Sequence, residues 1–219
     1  MGLNKVVTLT ILCEGATERN FVVKTLAPHL RRRNIFAKPI DLGGTPTMAS
    51  LHSQVNNALQ SRRIHEFVST MLDLYRLGNF PGNEPLVGEP VRVRVKRIEE
   101  SLFKKFPNPN FIPYIQLHEF EALVLVDVDK IPVAFPDGEA DNAIQVLKTS
   151  IGDAEPELIN ELPNTTPSKR LIAAIPSYKN VKWSAGPEIV EEIGLARVRQ
   201  KCPSFHAWVT RLEGLSGAI

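Results

Sequence analysis

Residues 5 to 13, KVVTLTILC, are β-branched and almost continuously apolar. A half-exposed strand alternates apolar and polar residues. This run has no polar face to turn to water, so it suits a strand buried on both sides. Such strands belong to mostly parallel sheets with helices packed above and below. The following residues keep that alternation. Gly15 allows a turn, Thr17 can cap, and 18–33 reads as a helix with Phe21, Val22, Leu26 and Leu30 on one face. Its end is Arg31-Arg32-Arg33, the end of the helix dipole that favours cations. IFAKPI (35–40) reads as a short strand, and Gly43-Gly44-Thr45-Pro46 as a turn with Thr45 as N-cap and Pro46 at the first helical position. A helix is expected from 46 to about 62, carrying Met48, Leu51, Val55 and Leu59. EFVSTMLDLY gives another strand with an acid, Asp73, at its end.

The segment 74–90 is rich in Gly and Pro and reads as a loop, long enough to suggest function. In 89–106 the alternation of VRVRV competes with a helical period in Val91, Val95, Ile98, Leu102 and Phe106, and the helix is preferred. NFIPYIQL is a further apolar strand leading into HEFEALVLVD. From 127 onward strand signals fade, and short helices are expected at 137–150, 156–161, 167–174, 187–193 and 195–213. The expected fold class is therefore α/β, with an α/β core at 1–126 and a helical C-terminal region at 127–219 packed on it.

The chain has 219 residues, 43% of them hydrophobic, which is ample for a buried core. A net charge of +2 demands no nucleic-acid partner and leaves room for a local basic surface. The two cysteines, Cys13 and Cys202, are solitary, so a structural zinc site is not expected and reduced thiols fit a cytoplasmic protein. The N-terminal run is too short to span a membrane and lacks a small-residue cleavage site, so the reading is of a soluble chain without a membrane partner.

Parallel sheets bind ligands beyond the carboxyl ends of their strands. Glu14 stands just past the first strand, Asp73 at the end of another, and Glu119 and Glu121 just past a third. If those strands are parallel and adjacent, their carboxylates meet on one rim. Crowded carboxylates repel one another unless cations neutralise them, and hard oxygen donors favour Mg²⁺ or Mn²⁺. Each acid also has an ordinary explanation. Glu18 opens a helix, where the dipole favours an acid. Asp73 suits a turn, and Glu119 and Glu121 suit a solvated first helical turn. Glu14 is harder to explain this way, because an acid ending a buried strand is costly to desolvate. His118 reads as a helix cap or hydrogen-bonding partner rather than a ligand.

Phosphate chemistry needs cations as well. Lys169 and Arg170 follow Pro167 at an expected helix start, and Lys179 and Lys182 lie in SYKNVKW. Each is a phosphate-binding candidate and each is equally at home on a solvated surface. The helix 89–106 carries Arg92, Arg94, Lys96, Arg97, Lys104 and Lys105, but Glu99 and Glu100 dilute it as a nucleic-acid face. Trp183, Trp208 and Phe205 have the chemistry to stack on bases. At helical spacing, Phe205, Trp208 and Leu212 read instead as the core of the last helix.

The order CEGATE, then MLDLYRL followed by FPG, then FIPYIQLHEFEALVLVD resembles the bacterial domain-of-unknown-function 4276 family. TPSKR, PSYKN and CPSFHAWVTRLEGL resemble that family's C-terminal half, so the likeness spans nearly the whole chain. The family is grouped with Toprim-like domains, the acid-bearing metal-binding domains of topoisomerases, primases and overcoming-lysogenisation-defect nucleases. The resemblance implies a Toprim-like core with Glu14 as general acid/base or metal ligand and Asp73 as the first acid of an Asp-x-Asp motif. Tyr75 stands where the second Asp falls in that motif, with Glu119 or Glu121 available to supply the missing oxygen. The expected function is a Mg²⁺- or Mn²⁺-dependent phosphodiesterase, a nuclease of DNA or RNA, with catalytic Glu14, Asp73 and Lys169. The metal ligands would be drawn from Glu14, Glu18, Asp73, Glu119 and Glu121. An ATPase partner is implied by the family's likeness to companions of ATPases in bacterial defence loci, and no GxxxxGK[ST] motif occurs in this chain. The alternatives are a non-catalytic partner of nucleic acid or of an ATPase, and phosphoryl transfer on a small nucleotide.

Overall fold

A computed structural model describes residues 6–59, 65–159 and 165–217. Strand β1 (Val7–Cys13) is central, with β2 (Ile35–Asp41) on one side and β3 (Glu66–Asp73) on the other, all parallel. Beyond β3 lie β4 (Phe111–Ile112) and β5 (Ile115–Gln116), two short parallel strands where the sequence reads as one. Pro113 separates them, and Thr70 Oγ1 bridges the break, accepting from Tyr114 N and donating to Tyr114 O at 2.8 Å each.

Both faces of the sheet are covered, as the apolar first strand requires. Leu9, Ile11 and Cys13 pack with Phe67 and Met71 into one core cluster, while Leu12, Val68 and Leu72 join the other. The first cluster is roofed by α1 (Ala16–Phe21), a π-helical turn (Val22–Leu26) and α2 (Ala27–Arg31). The second is roofed by α3 (Met48–Leu59) and α4 (Val91–Lys105). Thr47, not Thr45, caps α3, since Thr47 Oγ1 accepts from Ser50 N at 3.1 Å. Residues 60–62, expected to finish that helix, lie outside the described residues.

The C-terminal half is helical: α5 (Glu121–Val124), α6 (Ala143–Ile151), α7 (Pro167–Ala174), α8 (Tyr178–Ile193), α9 (Leu195–Lys201) and α10 (Pro203–Glu213), with 3₁₀ turns between. Two boundaries differ from expectation. Helix α8 begins at Tyr178, well before 187, and runs through Pro187. A proline there has no N–H for the carbonyl of Trp183, four residues back, and Asn20 Nδ2 donates to that carbonyl at 2.9 Å instead. The single helix expected over 195–213 is divided at Cys202-Pro203. The buried Glu157 caps the second piece, accepting from Ser204 N and Phe205 N at 2.9 and 2.8 Å.

Residues of these helices, among them Tyr178, Ile189, Phe205, Trp208 and Leu212, belong to the same core cluster as Leu9 and Ile11 of β1. The long 74–90 segment is tied down by α4. Arg94 donates to the Asn83 side chain and backbone, and Arg97 to Glu84 O and the Glu89 carboxylate.

Candidate functional site

Because β1 and β3 are adjacent and parallel, their carboxyl ends open on the same rim. Glu14 follows β1 directly, and its Oε2 accepts from Asp73 N, the last residue of β3, at 3.1 Å. Glu18, one turn into α1, reaches back to Gly15 N at 2.9 Å as the acidic half of a capping box. Gly44 N donates to Glu14 O at 2.9 Å, closing the loop after β2 over this turn. On the far side, β5 delivers the chain through His118, which takes a left-handed backbone (φ +61°). Its carbonyl accepts from Tyr75 N at 3.1 Å, and Glu121 then opens α5.

The rim therefore brings Glu14, Glu18, Asp73 and Glu121 together, each less than a tenth exposed. Burial is the first cause of their raised pKa values, and mutual repulsion adds to it. Glu14 is pushed up to about 7 by burial and by Glu121, against the backbone N–H of Asp73 and the cations Arg76 and Lys182. Glu18 is pushed up to about 8 by burial, Glu14 and Glu121. Glu121 rises to about 6 through burial and Glu119, opposed by Lys182 and by the Tyr178 hydroxyl, 3.5 Å from its Oε1. Asp73 is pushed well above the ordinary carboxylate range by burial, then by Glu18, Glu14, Glu121 and Glu119. Its Oδ1 is buried with no hydrogen-bond partner among the described residues. His118 is pushed down to about 4, chiefly by burial.

Glu119 stands apart in its bonding. Its two oxygens accept from Ser168 N and Ser168 Oγ, both at 2.8 Å, so it occupies the N-terminus of α7. Of the predicted cations, Lys182 acts on Glu14 and Glu121, while Lys169 and Lys179 are exposed. Arg170 is turned to the carbonyls of Thr165 and Ser150, at 2.7 and 2.5 Å. On the basic helix, Arg92 pairs with Glu155 and Glu157, and Arg94 and Arg97 brace the 74–90 segment. Three of its six cations are thus committed within the protein.

Three contributors escaped the sequence reading. Arg76, with Nε 4.0 Å from Glu14 Oε1, lay in the quoted MLDLYRL only three residues past Asp73. Tyr178 is four residues before Lys182 and shares its helix face, which was hidden while Gly186-Pro187 read as a helix start. Ser168 as the anchor of Glu119 left no signal, because the pairing crosses 49 residues.

The donor set is hard oxygen, and the orphaned Asp73 Oδ1 gives it one acceptor in want of a cation. In that respect a divalent hard metal fits. Among the described residues, however, no three of the His, Cys, Asp and Glu side chains form a preformed cage. Glu18 and Glu119 are drawn onto Gly15 and Ser168 instead. The cavity of about 400 Å³ lined by Arg92, Glu99, Tyr114, Trp208 and Arg211 contains none of these carboxylates. Among the described residues, no helix is long and apolar enough to cross a membrane.

The chain matches a family model described as "Domain of unknown function (DUF4276)" over residues 13–213. Among solved structures, it is similar to the C-terminal region of the Burkholderia pseudomallei OLD protein. The two share 15% identity and a TM-score of 0.49, over 98% of this chain and 99% of that one. No curated protein matches it.

Proposed function

We propose that this chain, which belongs to the DUF4276 family, is a Mg²⁺- or Mn²⁺-dependent phosphodiesterase acting on DNA or RNA. The observation that carries the reading is the buried, unpartnered Asp73 Oδ1 amid carboxylates that raise one another's pKa. An orphaned buried oxygen costs about 1–3 kcal/mol, and a repelling neighbourhood adds to that cost. A fold retains such a cluster at a functional site more readily than for structural reasons.

In this reading Asp73, Glu14 and Glu121 hold the cation, with Glu18 and Glu119 within reach once released from Gly15 and Ser168. A bound divalent cation would supply Lewis-acid polarisation of a phosphoryl oxygen. Glu14, poised near 7, is suited to take or return a proton at neutral pH. Arg76 and Lys182, which already act on Glu14, hold the anionic phosphate. Lys169, exposed at the start of α7, is a further cation for the phosphate backbone. Any ATPase action belongs to a partner protein.

A second reading has its own support: with no preformed cage, the protein acts as a non-catalytic partner of nucleic acid or of an ATPase. Calorimetric titration separates the two. The first reading expects Mn²⁺ binding at millimolar or tighter affinity that Asp73→Ala abolishes. It also expects cleavage of a DNA or RNA panel that falls at least about a hundredfold in Glu14→Ala. No Mn²⁺ binding by the unaltered protein selects the second reading.

A further inference from the structure

The two tryptophans differ sharply. Trp208 is 4% exposed, stacked on Tyr114 with ring centroids 4.3 Å apart, and its Nε1 donates to Ser69 Oγ at 2.9 Å. Trp183 is 53% exposed. Its place is fixed, since its carbonyl is held by Asn20 of α1, two residues from Glu18. It adjoins Lys182, which acts on Glu14 and Glu121, and lies one helical turn beyond the exposed Lys179.

On the β3 side there is a matching arrangement. Tyr75 is 51% exposed, two residues past Asp73, with its backbone fixed by the bond from its N–H to His118 O. It adjoins Arg76, whose Nε lies 4.0 Å from Glu14 Oε1. Each end of the rim thus carries an exposed aromatic ring next to a cation that acts on the same carboxylate. Exposed aromatic surface is costly to maintain without a use, and an aromatic beside a cation is the combination that holds a base and its phosphate.

Resting on the nuclease reading of this rim, we infer that its substrate is single-stranded nucleic acid, with bases stacked on Tyr75 and Trp183 and the backbone between them held by Arg76 and Lys182. Bases in a duplex are stacked on each other and present no free face, so this pair of rings selects unpaired strands. Tyr75, at the position where the resembled motif has its second Asp, then serves substrate choice.

The test uses the full chain with fluorescein-labelled oligothymidylate, oligouridylate and a matched DNA duplex, read by anisotropy in Ca²⁺ and again in EDTA. Single strands are expected to bind more tightly than the duplex. Trp183→Ala and Tyr75→Ala should each weaken single-strand binding about tenfold and leave duplex binding unchanged. Trp183→Phe and Tyr75→Phe, which keep a ring, should retain most of the affinity. Intrinsic fluorescence should be quenched by oligothymidylate in the unaltered protein and insensitive to it in Trp183→Phe, where only the buried Trp208 remains. Equal or tighter duplex binding, or alanine variants that bind single strands like the unaltered protein, overturns the inference. Binding is read apart from cleavage. Single-strand binding that depends on both rings, without cleavage, supports this inference while defeating the nuclease reading, and cleavage with ring-independent binding does the reverse.

Discussion

Asp73 shows how a residue that strains the fold can mark a site. Its carboxyl is buried among four others and has one oxygen without a partner. A carboxyl whose folded pKa is raised binds its proton more tightly folded than unfolded, so stability falls as pH rises from the unfolded value through the folded one. With Glu14 at about 7 and Glu18 at about 8, against an ordinary 4.5, that window spans pH 4.5 to 8. In EDTA the melting temperature is therefore expected to decline across this range, and Mn²⁺ should raise it more at pH 8 than at pH 5. Differential scanning fluorimetry across pH checks both. Asp73→Asn removes one repelling charge. It should stabilise the metal-free protein at pH 8 by on the order of 1 kcal/mol, about 2–4 °C, while losing the Mn²⁺ response. A melting temperature flat from pH 5 to 8 would contradict this account of the cluster. Glu14 was legible as unusual in the sequence because acids rarely end a buried strand. The ordinary explanation of Glu18, an acid at a helix start, holds as well, since it caps Gly15 while belonging to the cluster.

Helix α8 is the element that the sequence misrepresents most and the site depends on most. Its Gly186-Pro187 pair looks like a break, yet both residues are buried in a continuous helix. Pro187 is tolerated because Asn20 takes over the carbonyl it strands. Gly186 is there because the helix packs closely: a Cβ at this position would stand 3.0 Å from Tyr178 Oη and 3.2 Å from Phe120 Cε1. Both neighbours are fully or almost fully buried and have little room to retreat. Alanine ordinarily gains about 1 kcal/mol over glycine inside a helix. Here overpacking should outweigh it, so Gly186→Ala is expected to destabilise by about 1 kcal/mol net, measured by urea unfolding. Because Tyr178 faces Glu121, the same substitution should weaken Mn²⁺ binding. A more stable variant would show that α8 can shift outward. The strand elements were far more legible. β1 was readable from its apolar run, whereas β4 and β5 read as one strand because nothing local tells that Thr70 will bridge the break at Pro113.

Across the whole molecule, the apolar periodicity implies an α/β half followed by a helical half but leaves their relation open. The core cluster under β1 takes in Tyr178, Ile189, Phe205 and Trp208 from the C-terminal helices. Glu119 and Glu121 likewise find Ser168 and Tyr178 there. The C-terminal region is accordingly expected to be inseparable from the core. A chain ending at residue 126 should show no cooperative thermal transition, and calorimetry of that fragment checks it; a sharp transition would make 1–126 an independent domain. What the sequence by itself determined was local: a strand with no polar face, acids at strand ends, and the sheet type that places those ends on one rim. Periodicity and desolvation act on neighbouring residues, so they can be read along the chain. Only the tertiary structure decided which basic residues face the acids, that Arg92, Arg94, Arg97 and Arg170 are engaged elsewhere, and that Trp183 rather than Trp208 meets solvent. Those outcomes depend on pairings between distant segments, and the charge or ring of an isolated residue is the same whichever partner the fold brings to it.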